Sequence, residues 1–322
     1  MCTTIGFSYK EGCVFGRTLE VGVRLNNRIG YVPPNTAGFI PTLNGAFPST
    51  YATLGTVFYD IASFGDGINE KGLMGSNNLF PKMATFSKQE APNKLNLTIA
   101  RAFDYLLTRC ATVNEVKQTA ETLNIMAKGI DDSDLSNEMH FFFMDETGDK
   151  VVLEPENGRL RVYDNPFGVL TNAPEFSWHT TNLKNHLHLQ PENIEKRTFN
   201  THTVSKLGEG TGSVGLPGDF TPPSRFVRSA YYVANTPVDL THEDAVLQAF
   251  RILSHADIPT GAVVDSLTGH KDETLYTGIM DTWKKAYYIK QRSNIDLQAF
   301  YLDDFNEARD IVFVDLKKDM VL

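Results

Sequence analysis

Chemistry begins at the second residue. Met1-Cys2-Thr3 puts a cysteine directly after a methionine, and a residue as small as cysteine permits the methionine's removal. Cys2 then carries both a thiol and a free α-amine. Their reference pKa values, about 8 for the amine and about 8.5 for the thiol, lie close to neutrality. The amine can serve as base for its own thiol, as in N-terminal threonine nucleophiles, so no distant histidine is required. The alternative at this point is a cysteine placed there by chance.

Other reactive residues have plainer readings. Cys13 is expected within a strand, and Cys110 as a small core residue ending an apolar helix. Gly210-Thr211-Gly212-Ser213-Val214-Gly215 matches G-x-G-x-x-G. Leu216-Pro217-Gly218 and Pro222-Pro223 follow where a helix should open, so the segment reads as a loop. His179, His186, His188 and His202 show no metal-ligand spacing, and His186 and His188 face different ways on a helix. Lys10 and Glu11 read as a solvated turn.

Elements must hold Cys2 still, because a terminus frays unless tied down. Residues 2–8 and 13–19 read as a hairpin around Tyr9-Lys10-Glu11-Gly12. Residues 51–64 are rich in β-branched and aromatic side chains, 67–72 read as a turn, and 73–80 as a further strand. Apolar periodicity predicts helices over 95–110 and 113–127. Strands are expected at 139–144, 150–154, 160–163 and 168–170, and helices at 176–189, 224–234 and 242–255. The last strands fall at 275–279, 286–290, 297–302 and 310–314. This order predicts an α+β fold with sheets at its core, not a βαβ alternation. No repeat or linker interrupts residues 1–322, so one domain is expected.

Composition narrows the function classes. The 322 residues hold 30 Lys and Arg against 39 Asp and Glu, a net charge of −9, and 41% are hydrophobic. That is globular, and the acidity argues against nucleic acid or anionic membrane as a partner. No apolar run approaches the roughly 20 residues of a membrane helix. No secretory leader is read at the start. Three cysteines are too few for a disulfide framework and point to a reducing, cytoplasmic setting.

Four groups of residues follow one another along the chain. Met1-Cys2-Thr3 comes first, with Gly16-Arg17-Thr18-Leu19-Glu20. Asp66-Gly67-Ile68-Asn69-Glu70-Lys71-Gly72-Leu73 is second. Tyr163-Asp164-Asn165-Pro166 with Val169-Leu170-Thr171-Asn172-Ala173-Pro174 is third. The fourth is Gly215-Leu216-Pro217-Gly218-Asp219-Phe220-Thr221-Pro222-Pro223-Ser224-Arg225-Phe226-Val227-Arg228. In this order they resemble the choloylglycine hydrolase family of bile salt hydrolases and penicillin V acylases, which are N-terminal-nucleophile (Ntn) hydrolases. The resemblance implies a four-layer αββα sandwich with antiparallel sheets, no metal, no organic cofactor and a homotetramer. It implies Cys2 as the nucleophile, with Arg17 beside it, where a guanidinium favours thiolate. Glu20 would orient the N-terminal amine, Asn172 and the Leu79 backbone N–H would be oxyanion donors, and Arg225 would complete the charged network. The plain alternatives are a strand-end ion pair for Arg17 and Glu20, a turn contact for Asn172, and surface cations for Arg225 and Arg228.

Two departures from the family pattern stand out. Glu20 replaces the usual Asp and adds one methylene, about 1.5 Å of reach. Leu79 replaces the Asn common in bile salt hydrolases and the Tyr of several penicillin V acylases; Asn78, next door, would stand in only after a one-residue register shift. The activity implied is hydrolysis of a small-molecule linear amide through an acyl-enzyme on Cys2. Because Leu79 departs from Asn, a penicillin V acylase-like activity on phenoxyacetyl amides is placed first and bile-acid amides second. Other N-acyl amides, acyl homoserine lactones among them, and a catalytically silent binder of amphipathic ligands stay open.

Overall fold

Strand Met139–Met144 shows why the chain forms layers. Side chains of a strand alternate between faces, yet Phe141, Phe142, Phe143 and Met144 are all buried. Phe141 and Phe143 pack on Phe103 at ring separations of 5.3 and 5.4 Å. Phe142 points the other way, onto Phe15 at 4.9 Å. A sheet covered on both sides reads as a continuous apolar run.

The computed structural model describes residues 1–43, 45–59, 61–129 and 136–318. Its two large sheets are antiparallel and stack face to face. One runs in the order Val169–Leu170, Cys2–Ser8, Cys13–Val21, Lys271–Asp281, Ala286–Gln291, Asn294–Tyr301. The other runs Arg159–Asp164, Lys150–Glu156, Met139–Met144, Met74–Leu79, Ile61–Asn69, Thr53–Phe58, Asn27–Val32, Val312–Val314. Helices α1 (Ile99–Arg109) and α2 (Val113–Ala120) cover the outer face of the second sheet. After the short α3 (Phe176–Asn182), helices α4 (Pro222–Ala234) and α5 (His242–Ser254) cover the outer face of the first. The architecture is the four-layer αββα sandwich with antiparallel sheets.

The boundaries differ from expectation where two elements share one apolar face. The helix expected over 95–110 starts at Ile99, because Leu95–Leu97 pairs in parallel with Leu123–Ile125. The same pairing ends α2 at Ala120, short of residue 127. Periodicity does not separate a helix from a short strand flanking it on the same side. The helix expected over 176–189 stops at Asn182 and continues as a 3₁₀ turn, Leu183–His186. The turn expected at 67–72 begins later, since Gly67, Ile68 and Asn69 still pair with Thr53–Phe58. Asn69 then makes the reversal: its Oδ1 accepts from the Lys71 and Leu73 N–H groups, and its Nδ2 holds the Leu107 and Cys110 carbonyls at the end of α1. A polar hairpin, Lys196–Phe199 with His202–Ser205, carries no alternation by which sequence would reveal it.

Among the described residues no helix is long and apolar enough to cross a membrane, and no three His, Cys, Asp or Glu cluster to hold a metal ion. Gly210–Gly215 forms a 3₁₀ turn over Thr211–Ser213 and opens no helix.

Candidate active site

The N-terminal hairpin positions the thiol. Its register pairs Cys2 with Leu19 and Thr4 with Arg17. Cys2 and Arg17 are therefore diagonal neighbours on one face, the face turned to the second sheet. Arg17 Nη2 donates to Cys2 Sγ at 3.3 Å, which places a guanidinium N–H to stabilise negative charge developing on sulfur.

Arg17 is in turn fixed from the opposite sheet. Its Nη1 meets Asp66 Oδ2 and the Gly65 carbonyl, both at 2.9 Å. The pairing of Ile61–Asn69 jumps from Thr56↔Asp66 to Val57↔Phe64, leaving Gly65 as a bulge with its carbonyl free for Arg17. Asp66 also accepts from Thr56 Oγ1 at 2.6 Å, from Tyr276 Oη at 2.6 Å and from Tyr287 Oη. Burial and the adjacent Asp66 carboxylate hold both phenols protonated, well above their ordinary range. Gly278, opposite Arg17 in the ladder, admits this arrangement, because a Cβ there would lie 2.0 Å from Tyr287 Oη. No local sequence pattern ties Asp66, Tyr276 and Tyr287 together, since they lie on different strands of the two sheets. The available signal was Asp66 itself, a carboxylate between apolar strand residues.

Asn172 is held by three elements. Its Oδ1 accepts from the Cys2 N–H at 3.1 Å and from Arg225 Nη2 at 2.7 Å, and its Nδ2 donates to the Leu79 carbonyl at 2.8 Å. Arg225 Nη1 also reaches the Cys2 carbonyl at 2.5 Å and Thr3 Oγ1 at 2.7 Å. The segment before α4 accounts for this reach. Asp219 accepts from Thr221 and Ser224 at the helix start, and these bonds hold its carboxyl down to about 2. Pro222 opens the helix with its fixed φ. Arg228 ties the Pro217, Asp219 and His255 carbonyls. Arg225 and Arg228 are thus buried anchors, not surface cations.

Leu79 joins through its backbone. Phe80 N–H donates to the Glu138 carbonyl, and Leu79 pairs with Met139 one step along. Antiparallel pairs alternate, so the Leu79 N–H and C=O both point away from that strand, toward Asn172. Asn78 does not stand in: its Oδ1 accepts from Thr4 Oγ1 at 3.1 Å, and its Nδ2 donates to the Thr171 carbonyl at 3.1 Å. Met1 is present in this structure, so the Cys2 nitrogen is a peptide N–H. The Met1 amine donates to the Glu20 main-chain carbonyl, not to its carboxylate. The Glu20 side chain is fully buried; Oε1 accepts from Thr274 Oγ1 at 3.3 Å, and Oε2 has no partner among the described residues. Burial pushes its carboxyl up, with the terminal amine and Arg225 opposing.

His179, considered above with the other histidines, is a site neighbour. Its Nε2 donates to the Asn172 carbonyl at 2.9 Å. Burial pushes the imidazole down to about 4; the Asn172 bond and Glu175 oppose this, while His140 and Arg225 add to it. A free histidine titrates near 6.5, so between pH 6.5 and 4 the unfolded chain binds a proton that the native one refuses. Stability falls as pH drops through that window, by on the order of 3 kcal/mol, and His179→Phe removes this dependence. Urea unfolding of both proteins at pH 7 and 4.5 measures it; equal losses in the two would refute the assignment.

Of the residues singled out in the sequence, Cys2, Arg17, Leu79, Asn172 and Arg225 are linked by hydrogen bonds around the start of the first strand, with Arg225 reaching in from α4, while Glu20 joins through its main-chain carbonyl at the Met1 amine. A family model described as linear amide C–N hydrolases, choloylglycine hydrolase family, matches residues 2–313. The chain is 32% identical over 311 residues to a bile salt hydrolase/transferase of Clostridium perfringens, covering 95% of this chain and 94% of that protein. The solved structure of the C2A mutant of the conjugated bile acid hydrolase from Clostridium perfringens matches with a TM-score of 0.91 at 29% identity, covering 100% of this chain and 99% of that one. A penicillin V acylase of Pectobacterium atrosepticum is 26% identical over 259 residues, covering 76% of this chain and 62% of that protein.

Proposed function

The chain belongs to the choloylglycine hydrolase family of linear amide C–N hydrolases, and from that premise we propose that it hydrolyses conjugated bile acids, releasing glycine or taurine. It is an amidohydrolase acting on linear amides. The observation carrying the substrate is full-length similarity to bile salt hydrolases, against shorter and weaker similarity to a penicillin V acylase. This reverses the order expected from Leu79. That expectation weighed a side chain, whereas residue 79 meets Asn172 through its carbonyl, a group every residue type supplies.

In the proposed mechanism, removal of Met1 turns the Cys2 N–H into an α-amine. That amine takes the proton of the Cys2 thiol, and the resulting thiolate, beside Arg17, attacks the amide carbonyl. The second Asn172 Nδ2 N–H and the Leu79 N–H receive the oxyanion, and Arg225 holds Asn172 and the Cys2 carbonyl in register. Glu20 Oε2, buried and unpaired, accepts from the amine. The amine passes its proton to the leaving nitrogen, the C–N bond breaks, and a thioester remains. Water activated by the same amine hydrolyses the thioester, returning the thiol and releasing the carboxylate. Each proton transfer contributes about 10²–10⁴-fold.

A panel of glycine- and taurine-conjugated bile acids and penicillin V tests the substrate. We expect kcat/KM for at least one bile conjugate to exceed that for penicillin V by about tenfold or more, roughly 1.4 kcal/mol. The reverse ratio would return penicillin V to first place. No release from any amide by Met1-free protein that still binds a bile conjugate measurably would favour a silent binder.

A further inference from the structure

Two imidazoles grip consecutive carbonyls of the segment that carries Asn172. His140 Nε2 lies 3.3 Å from the Thr171 carbonyl and His179 Nε2 lies 2.9 Å from the Asn172 carbonyl. Each ring rests flat on an aromatic side chain adjoining a site residue. His140 stacks on Phe80, next to Leu79, at 4.3 Å and 10°; His179 stacks on Phe226, next to Arg225, at 4.8 Å and 11°. Glu154 Oε1 holds the other nitrogen of His140 at 3.2 Å and accepts the Phe176 N–H at 2.9 Å, fixing the start of α3. His140, His179, Phe80 and Phe226 are all buried.

Asn172 needs such a hold. Strand Val169–Leu170 ends two residues before it and α3 begins at Phe176, so its carbonyl lies outside the main-chain ladders of both elements. His179 supplies that bond, and its Nδ1 has no partner among the described residues, which commits its one proton to Asn172. We infer that His179 is a positioning residue for the hydrolysis: it fixes the Asn172 main chain so that the side-chain amide keeps its second N–H aimed at the oxyanion. Displacing a reacting or stabilising group by about 1 Å costs up to about 10²-fold in rate. The inference rests on Asn172 acting as the oxyanion donor.

The test is a double-mutant cycle on the Met1-free enzyme, with kcat and KM for the best substrate of the panel. His179→Phe keeps a ring for the stack and loses the donor, whereas His179→Gln keeps an N–H. His179→Met is the second donor-free variant should the phenyl ring fail to pack. We expect His179→Phe to lower kcat about 10–100-fold with KM within about threefold, and His179→Gln to restore most of it. In the Asn172→Ala background His179→Phe should add nothing. Wild-type kcat in a folded donor-free variant would overturn the inference. So would an equal loss in both backgrounds, which marks general packing. Asn172→Ala with wild-type kcat would instead sink the oxyanion reading itself, and the inference with it.

Discussion

Cys2→Ala should abolish turnover, by at least about 10⁴-fold, and leave the unfolding midpoint close to wild type. The change removes one sulfur from a buried site and leaves in place the backbone bonds that organise it. The Cys2 N–H still meets Asn172, and the Cys2 carbonyl still receives Arg225. No other thiol stands ready to substitute, because Cys13 is engaged with Ser8 and the Glu146 carbonyl, and burial pushes the Cys110 thiol up to about 11. A companion experiment isolates the amine. Protein that retains Met1, confirmed by intact mass, should be inactive although Cys2 is present, because a peptide nitrogen is no base. Turnover by Cys2→Ala would end the assignment of Cys2 as nucleophile, and turnover by the Met1-bearing protein would end that of its amine as base.

Asp66→Asn should destabilise the protein by about 3–5 kcal/mol, the usual result of removing one partner of a buried ion pair. Arg17 and Asp66 are both nearly inaccessible and 2.9 Å apart. Asparagine fills the same volume, but its amide brings N–H groups toward Thr56, Tyr276, Tyr287 and Arg17, all of which need an acceptor. The uncompensated guanidinium then turns, and kcat falls along with stability. Tyr287→Phe removes one donor and leaves the ion pair, so it should cost about 1.5–3 kcal/mol. Urea unfolding at pH 7 measures both; a loss below about 1 kcal/mol for Asp66→Asn would show that the pair is not holding the sheets.

How much of this was legible in the sequence depended on whether a residue's partner lay nearby or across the fold. The hairpin around residues 9–12 set Cys2 and Arg17 side by side, since a short turn determines its own register. The run ahead of Arg225 carried its own helix-start chemistry in Asp219, Thr221 and Pro222. Asp66 stands in the sequence only as the first residue of the Asp66–Leu73 motif, because its partners come from positions 17, 56, 276 and 287, and alternation along a strand does not say which sheet it will face. His179 invited comparison with other histidines nearby, whereas its function is set by a main-chain carbonyl seven residues away. Glu20 was expected to touch the amine with its carboxylate; with Met1 in place the contact passes through its carbonyl.

The Arg17–Asp66 bond spans the two sheets, with sulfur on one and the carboxylate on the other. The gap between the layers is therefore a mechanical input to the proposed nucleophile. Anything that thickens or thins the filling there, such as a larger or smaller ring at Phe15 or Phe142, pulls on the guanidinium and moves its N–H relative to the thiol. Packing far from the carbonyl under attack becomes a means of tuning reactivity. Hydrostatic compression, which narrows the gap without altering a side chain, would act on the same lever.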